Sequence, residues 1–247
     1  MSGIKIGFGL GIIICAGAAM SDGFFGTHII PRAPKIPTEH AQEELGSSNK
    51  ESKNVISKLV IKDRKYYKVA YDEGKKCPLW VSYKMSPSDG KRDADRSDDK
   101  FYPDDDIKTA LPSDYTRTGY DRGHMVASAD MAFSESAQKE TFRMSNVCMQ
   151  TPALNRGLWK NLESDIRSIA KTSVIEVAAG PIYGNTKKII NGIVVPTSYW
   201  KLYKSNGVKH GYICENGDTK ENSLCSEVDA SVIMKKVIDK SPIEALK

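Results

Sequence analysis

The chain has 247 residues, 40% of them hydrophobic and 27% charged, and a formal net charge of +5. That length holds one sizeable core or two small ones, and the balance excludes a disordered or fibrous chain. So mild a charge permits a polyanionic partner without requiring one.

Residues 4–15 are apolar and glycine-containing, carry only Lys5, and run into Ala16-Gly17-Ala18. One positive charge, a short apolar run and small residues at a cleavage point make the pattern of a secretory signal. Residues 1–20 are read as a signal peptide. An uncleaved membrane anchor is the alternative, although the run is at the short end for spanning. Residues 21–54 are rich in Pro, Ser, Gly and charge and read as a flexible lead-in. The folded domain is expected over 55–247.

Strand-like runs follow at 55–61, 66–71 and 79–84, each rich in β-branched or aromatic residues. The acidic run 93–106, with Asp104-Asp105-Asp106, lacks the spacing of a calcium loop and reads as solvated. A short helix is expected over 134–142 and a strand over 146–150. The strongest helix is 153–171, where Leu154, Leu158, Leu162, Ile166 and Ile169 recur at three and four. A strand over 174–178 ends at Gly180-Pro181. Asn191-Gly192, flanked by Ile189-Ile190 and 193–195, signals a hairpin. Strands at 199–203 and 211–214 come next. Ser226 to Asp229 reads as a capping box opening a last helix to about Val237. Strands and helices mix without βαβ alternation, which favours an α+β domain.

Beyond Cys15 the cysteines are Cys77, Cys148, Cys214 and Cys225. An even number suits an oxidising compartment, and four allow three pairings, with free thiols as the alternative. Cys214 and Cys225 flank the turn-rich 215–218 and could staple a loop. No C-x-x-C pair supports a structural zinc site.

The four histidines are His28, His40, His124 and His210. Two fall in the lead-in, so a three-histidine metal site is excluded within the domain. His124 is then the natural general base, because an imidazole titrates near neutrality. It closes the stretch Asp121-Arg122-Gly123-His124, in which Gly123 allows close backbone approach to a ligand. Either Asp121 or a backbone carbonyl could fix the ring's tautomer. On the long helix, Asn155 and Glu163 are eight residues apart. In a regular helix that is about 12 Å along the axis and roughly 80° around it. If Asn155 binds a cation directly, Glu163 reaches it only through water. An amide oxygen plus waters suits Mg²⁺. Read alone, Asn155 would be a helix cap and Glu163 a solvent-facing residue. Lysines 91, 160, 171, 187, 188 and 201 could line a groove or simply face solvent.

Asp121-Arg122-Gly123-His124, followed by Asn155-x-Gly157-x-Trp159-x-x-Leu162-Glu163, resembles the DNA/RNA non-specific endonuclease family. The resemblance runs from about Tyr66 to Val237 and takes in Trp80-Val81, Lys91-Arg92, Ser145-Asn146, 180–184, Val195-Pro196 and Trp200-Lys201. It implies an α+β fold with a ββα-metal (His-Me finger) core in a mixed, mainly antiparallel sheet flanked by helices. By position, His124 resembles the base that activates water, Asn155 the direct Mg²⁺ ligand and Glu163 the residue that holds a metal-bound water. Arg122 resembles a phosphate-binding residue, and Arg92 an arginine that stabilises the transition-state phosphate. Asn146 resembles a supporting polar residue. Met149 departs from the proline common at that position.

The expected activity is sequence-non-specific hydrolysis of DNA and RNA leaving 5′-phosphate ends, with Mg²⁺ as cofactor and Mn²⁺ as a substitute. Contact runs through the phosphate backbone, which carries no base identity. A homodimer and an inhibitor protein are further partners left open. The alternatives are a catalytically silent nucleic-acid-binding protein of this fold and a toxin or effector nuclease controlled by an inhibitor. The leader implies export to a periplasm or the outside, with a membrane anchor or the mitochondrial intermembrane space as alternatives. No G-x-S-x-G or H-E-x-x-H motif supports an unrelated hydrolase.

Overall fold

The computed structural model describes residues 58–96, 99–237 and 239–246. The leader at 1–20 and the lead-in at 21–54 lie outside the described residues. Among the described residues, no helix is long and apolar enough to cross a membrane.

Seven strands form one antiparallel sheet. They are β1 (Leu59–Asp63), β2 (Tyr67–Asp72), β3 (Cys77–Met85), β6 (Ile175–Ile182), β9 (Ser198–Ser205), β10 (Val208–Glu215) and β11 (Cys225–Val228), in that spatial order. The remaining strands make two ribbons: β4 (Asp121–His124) with β5 (Val147–Gln150), and β7 (Ile189–Ile190) with β8 (Ile193–Val194). The second ribbon is the hairpin signalled by Asn191-Gly192, and both residues take positive φ in its turn. The helices are α1 (Glu135–Glu140), α2 (Trp159–Ile169), α3 (Ala230–Lys236) and α4 (Ser241–Ala245). The α+β, mainly antiparallel expectation holds.

Period-two alternation in the sheet sends side chains to two cores. On β9, Tyr199 and Tyr203 face the core that holds Trp159, Leu162 and Ile166 of α2. Trp200 and Leu202 face the core closed by Ile233 of α3 and Ile243 of α4. The first ribbon lies on the α2 side, with Met125 and Cys148 in the first core and Val147 and Met149 in a third.

Four local expectations are corrected. The strand expected to end at residue 178 continues as β6 through Gly180-Pro181 to Ile182, because β9 pairs with it along that whole length. Ser226 opens no helix. Residues 225–228 are β11, and Asp229 caps α3 by accepting from the Ser231 amide. The acidic run is only partly solvated. Asp104 is buried, accepts from the backbone N–H and the hydroxyl of Ser145 at 2.8 Å each, and pairs with Arg64 at 2.6 Å. The long helix is not uniform. Residues Leu154–Leu158 form a wide π turn in which the Trp159 amide donates to the Leu154 carbonyl, and Gly157 leaves helical geometry at φ −107°, ψ −111°.

Two disulfides resolve the pairing left open by sequence: Cys77–Cys148 and Cys214–Cys225. The first ties β3 of the large sheet to β5 of the ribbon. The second joins directly opposed residues of β10 and β11.

Candidate active site

The ribbon β4–β5 pairs only four residues with four, so its position depends on what holds it. Asn146, fully buried, does much of this. Its amide oxygen accepts from the Val126 N–H at 2.8 Å, and its nitrogen donates to the carbonyls of Val126 and Thr141 at 3.0 and 2.8 Å. The residues just after His124 are thereby clamped to the start of β5. Gly123 is required by packing. A Cβ there would fall inside the side chain of buried Gln150. The disulfide at Cys148, opposite Gly123 in register, completes the attachment.

His124 ends β4 half-buried between Phe101 and Phe142, each ring about 5.0 Å away. Its Nε2 is buried with no hydrogen-bond partner among the described residues. Burial, with a smaller contribution from the Arg96 charge, pushes the imidazole down from 6.5 to about 3. The ring is therefore neutral at pH 7, with Nε2 free of any partner among the described residues.

Asp121 does not serve His124. Its carboxylate accepts from Asn155 Nδ2 at 2.9 Å and from both forks of Arg156 at 2.8 and 2.6 Å. Burial and these donors oppose one another, and the donors win, lowering its pKa below the usual 3.8. This contact joins ribbon to helix. It also commits the nitrogen end of the Asn155 amide, so the oxygen is the end that can meet a cation. Asn155 sits within the π turn and caps no helix.

Glu163 is not solvent-facing. It is bound at 2.9 Å by Lys201, whose side chain is 0% exposed and lies 4.5 Å over the Trp159 ring. Burial raises the carboxyl above 4.5, while the adjacent ammonium pulls it back. Behind this pair, buried Asp130 accepts from Tyr83 Oη and from Arg167, each at 2.6 Å. A charge this deep is tolerated only when paired and hydrogen-bonded.

Asp121, Arg122, His124, Asn155 and Glu163 all line one cleft of about 690 Å³, with Arg96, Arg156, Lys160 and Arg167 also on its wall. Arg122 is steered there by donating from Nε and Nη2 to the Pro112 carbonyl, at 3.1 and 2.5 Å. Arg92 lines an adjoining cavity instead, and pairs with Asp89 at 2.7 Å. Sequence reasoning missed Arg96, Asp130, Arg156 and Arg167, and it left Lys201 between a groove and plain solvated surface, whereas it is buried on Glu163. The signal for Lys201 was present: a lysine inside the strand pattern Tyr-Trp-Lys-Leu-Tyr needs a buried partner. Among the described residues no three His, Cys, Asp or Glu side chains converge on one point. The donor set that fits a divalent ion is a hard one: the oriented Asn155 oxygen, with Glu163 beyond it.

A histidine-bearing antiparallel ribbon joined to a helix that presents an amide oxygen, over a basic cleft, defines the ββα-metal class of nucleases. The chain belongs to the DNA/RNA non-specific endonuclease family, whose profile matches residues 46–237. It is 33% identical over 158 residues to bovine mitochondrial endonuclease G, covering 58% of this chain and 53% of that one. It is also 33% identical over 149 residues to a nuclease from Nostoc sp., with the same coverage. The chain thus spans about half the length of the curated relatives it matches. A solved EndoG, crystallised with EndoGI in a study of EndoG inhibition, aligns with a TM-score of 0.64 at 26% identity. That alignment covers 71% of this chain and 82% of the other.

Proposed function

We propose that the protein is a metal-dependent endonuclease that hydrolyses phosphodiester bonds in DNA and RNA without sequence preference and leaves 5′-phosphate ends. The observation that carries this reading is the Asn155–Asp121 hydrogen bond, which sets the amide oxygen of the helix and the imidazole of the ribbon onto one cleft. Asn155 would hold Mg²⁺ directly, or Mn²⁺ in its place, and Glu163 through water. The ion supplies charge neutralisation at the phosphate and at the leaving oxygen.

The protein's own groups do the rest. Neutral His124 takes the proton from the attacking water. Arg122, whose Nε and Nη2 hold the Pro112 carbonyl, has Nη1 left to offer the phosphate, with Arg96 and Arg167 on the same wall. Arg92 reaches phosphate charge from the adjoining cavity. Lys201 holds one oxygen of Glu163 so that the other is available to a water. All these groups meet phosphate and none reads a base, which accounts for weak sequence preference.

The reading includes export: residues 1–20 as a signal, 21–54 as a lead-in and 55–247 as the nuclease domain, with two disulfides suited to an oxidising compartment. Among the relatives are mitochondrial nucleases, so an organellar location is the second reading. An inhibitor protein is a reasonable partner because the EndoG neighbour was crystallised with EndoGI.

His124→Ala is expected to lower cleavage of plasmid DNA and of RNA in Mg²⁺ by about 10²–10⁴-fold, the usual value of a general base. Its circular dichroism should match the parent. Undiminished cleavage would remove His124 from the mechanism, and chelator-insensitive binding without any cutting would favour the silent-binder alternative.

A further inference from the structure

Beside the His124 cleft lies a second cavity of about 550 Å³, and the two share Ala129 and Arg167 on their walls. Four basic side chains line it, Lys91, Arg92, Arg167 and Lys171, against one acidic residue, Asp93. The elements explain the grouping. Arg167 stands in the last turn of α2 and Lys171 in the turn just after its cap at Ala170, so the end of that helix brings both to the cavity. Lys91 and Arg92 come from the loop after β3, which Arg92 ties to Asp130, the residue whose carboxylate holds Arg167 of α2. The Arg92 Nε donates to the Asp130 carbonyl at 3.0 Å, and its Nη2 pairs with Asp89 at 2.7 Å.

The four cations divide into two kinds. Arg92 and Arg167 are anchored, the second by Asp130 at 2.6 Å. Such guanidiniums offer donors in fixed directions. Lys91 and Lys171 are exposed, and neither forms an ion pair among the described residues. Free ammonium groups around fixed donors form a wall that attracts anions more strongly than it orients them.

We infer that this cavity is a subsite for a phosphate that flanks the scissile one on the same nucleic-acid strand. This inference rests on the nuclease reading. A strand with one phosphate at His124 carries more at intervals of about 3.4 Å along a duplex axis, and the shared wall at Ala129 and Arg167 gives the strand a continuous basic path from one cavity into the next. The free lysines then supply polymer affinity without taking part in bond breaking. A minimal phosphodiester, which ends at the cleft, gains nothing from them.

The test uses the full chain. In a His124→Ala background, binding of a fluorescein-labelled single-stranded oligonucleotide is followed by anisotropy across a salt series. Lys91→Ala with Lys171→Ala should flatten the slope of log affinity against log salt by about 0.7, the value for the one flanking phosphate that no longer meets the lysines. Lys91→Arg with Lys171→Arg should keep the slope, and Asp93→Asn should tighten binding. With His124 intact, the alanine pair should raise KM for the oligonucleotide and leave turnover of bis(p-nitrophenyl) phosphate unchanged.

An unchanged slope in the alanine pair, or equal losses on polymer and on the small diester, overturns the subsite. So does failure of the parent to bind the oligonucleotide. A parent that binds but does not cut defeats the nuclease reading instead, and the salt slopes still decide whether the cavity holds phosphate.

Discussion

The seven-stranded sheet and the two-stranded ribbon use the same antiparallel ladder but hold their shape by different means. In the sheet, β6 and β9 pair over eight residues, β9 and β10 over eight more, and apolar side chains cover both faces. Removing any one side chain leaves many others in place. The ribbon pairs only four residues, and two strands alone are marginal in water. It is fixed by separate fasteners: the Cys77–Cys148 bridge, the Asn146 clamp and the close fit of Gly123 on Gln150. The region that carries the proposed base is thus the one whose geometry depends on single residues. Changes in the sheet away from Lys201 and Tyr83, which reach Glu163 and Asp130, should cost stability alone, whereas changes in the ribbon's fasteners should cost stability and activity together.

The largest expected effect breaks that comparison at the disulfides. The bridge from Cys77 to Cys148 closes a separation of 71 residues, and that from Cys214 to Cys225 one of 11. Chain entropy gives about 4 kcal/mol for replacing the first pair by serine and about 3 kcal/mol for the second. Urea unfolding measures both values. Plasmid cleavage at matched folded fraction should fall for the first variant and hold for the second, and equal loss in both would mean the ribbon needs no strut.

Gly123→Ala comes next. Overpacking against Gln150 should cost about 1–3 kcal/mol and reduce cleavage beyond the loss of folded protein. Gly207→Ala, in a sheet turn at φ +81° with open space around it, should lower stability without that second loss. Thermal melts and specific activity separate the two.

A last test sharpens the comparison through pH. His124 titrates near 6.5 in the unfolded chain and about 3 in the folded one. Between those values the unfolded state binds more protons. The contribution of the neutral ring is thus fully present above 6.5 and is lost as pH falls toward 3. Urea midpoints should drop across this window in the parent and drop less in His124→Gln. If the imidazole is the base, the acid limb of kcat/KM also lies below pH 6.5.

Much of the site was legible in the sequence because it is written in short stretches. Asp121 to His124 and Asn155 to Glu163 hold its central members, and the structure brings them to one cleft. What was not legible depends on partners distant in sequence. Asp104 looked solvated because its partners, Arg64 and Ser145, lie 40 and 41 residues away. Glu163 looked exposed because Lys201 reaches it from 38 residues further on. Gly180 reads as a stop for strand β6, yet that glycine is needed inside it. A Cβ would meet the Leu79 carbonyl and the Trp200 indole. The π turn left no mark, since leucines at 154, 158 and 162 fit a regular helix equally well.

That turn has a consequence for how such a chain can vary. A π turn holds one residue more than an α-helix needs, and this one comes just before Trp159. Excising a single residue there would heal the coil and yield a sounder rod. It would also swing Asn155 by about 100° relative to Glu163, turning the amide away from the cleft wall that Glu163 shares. On the nuclease reading, selection for thermal robustness and selection for cutting therefore pull this one surplus residue in opposite directions.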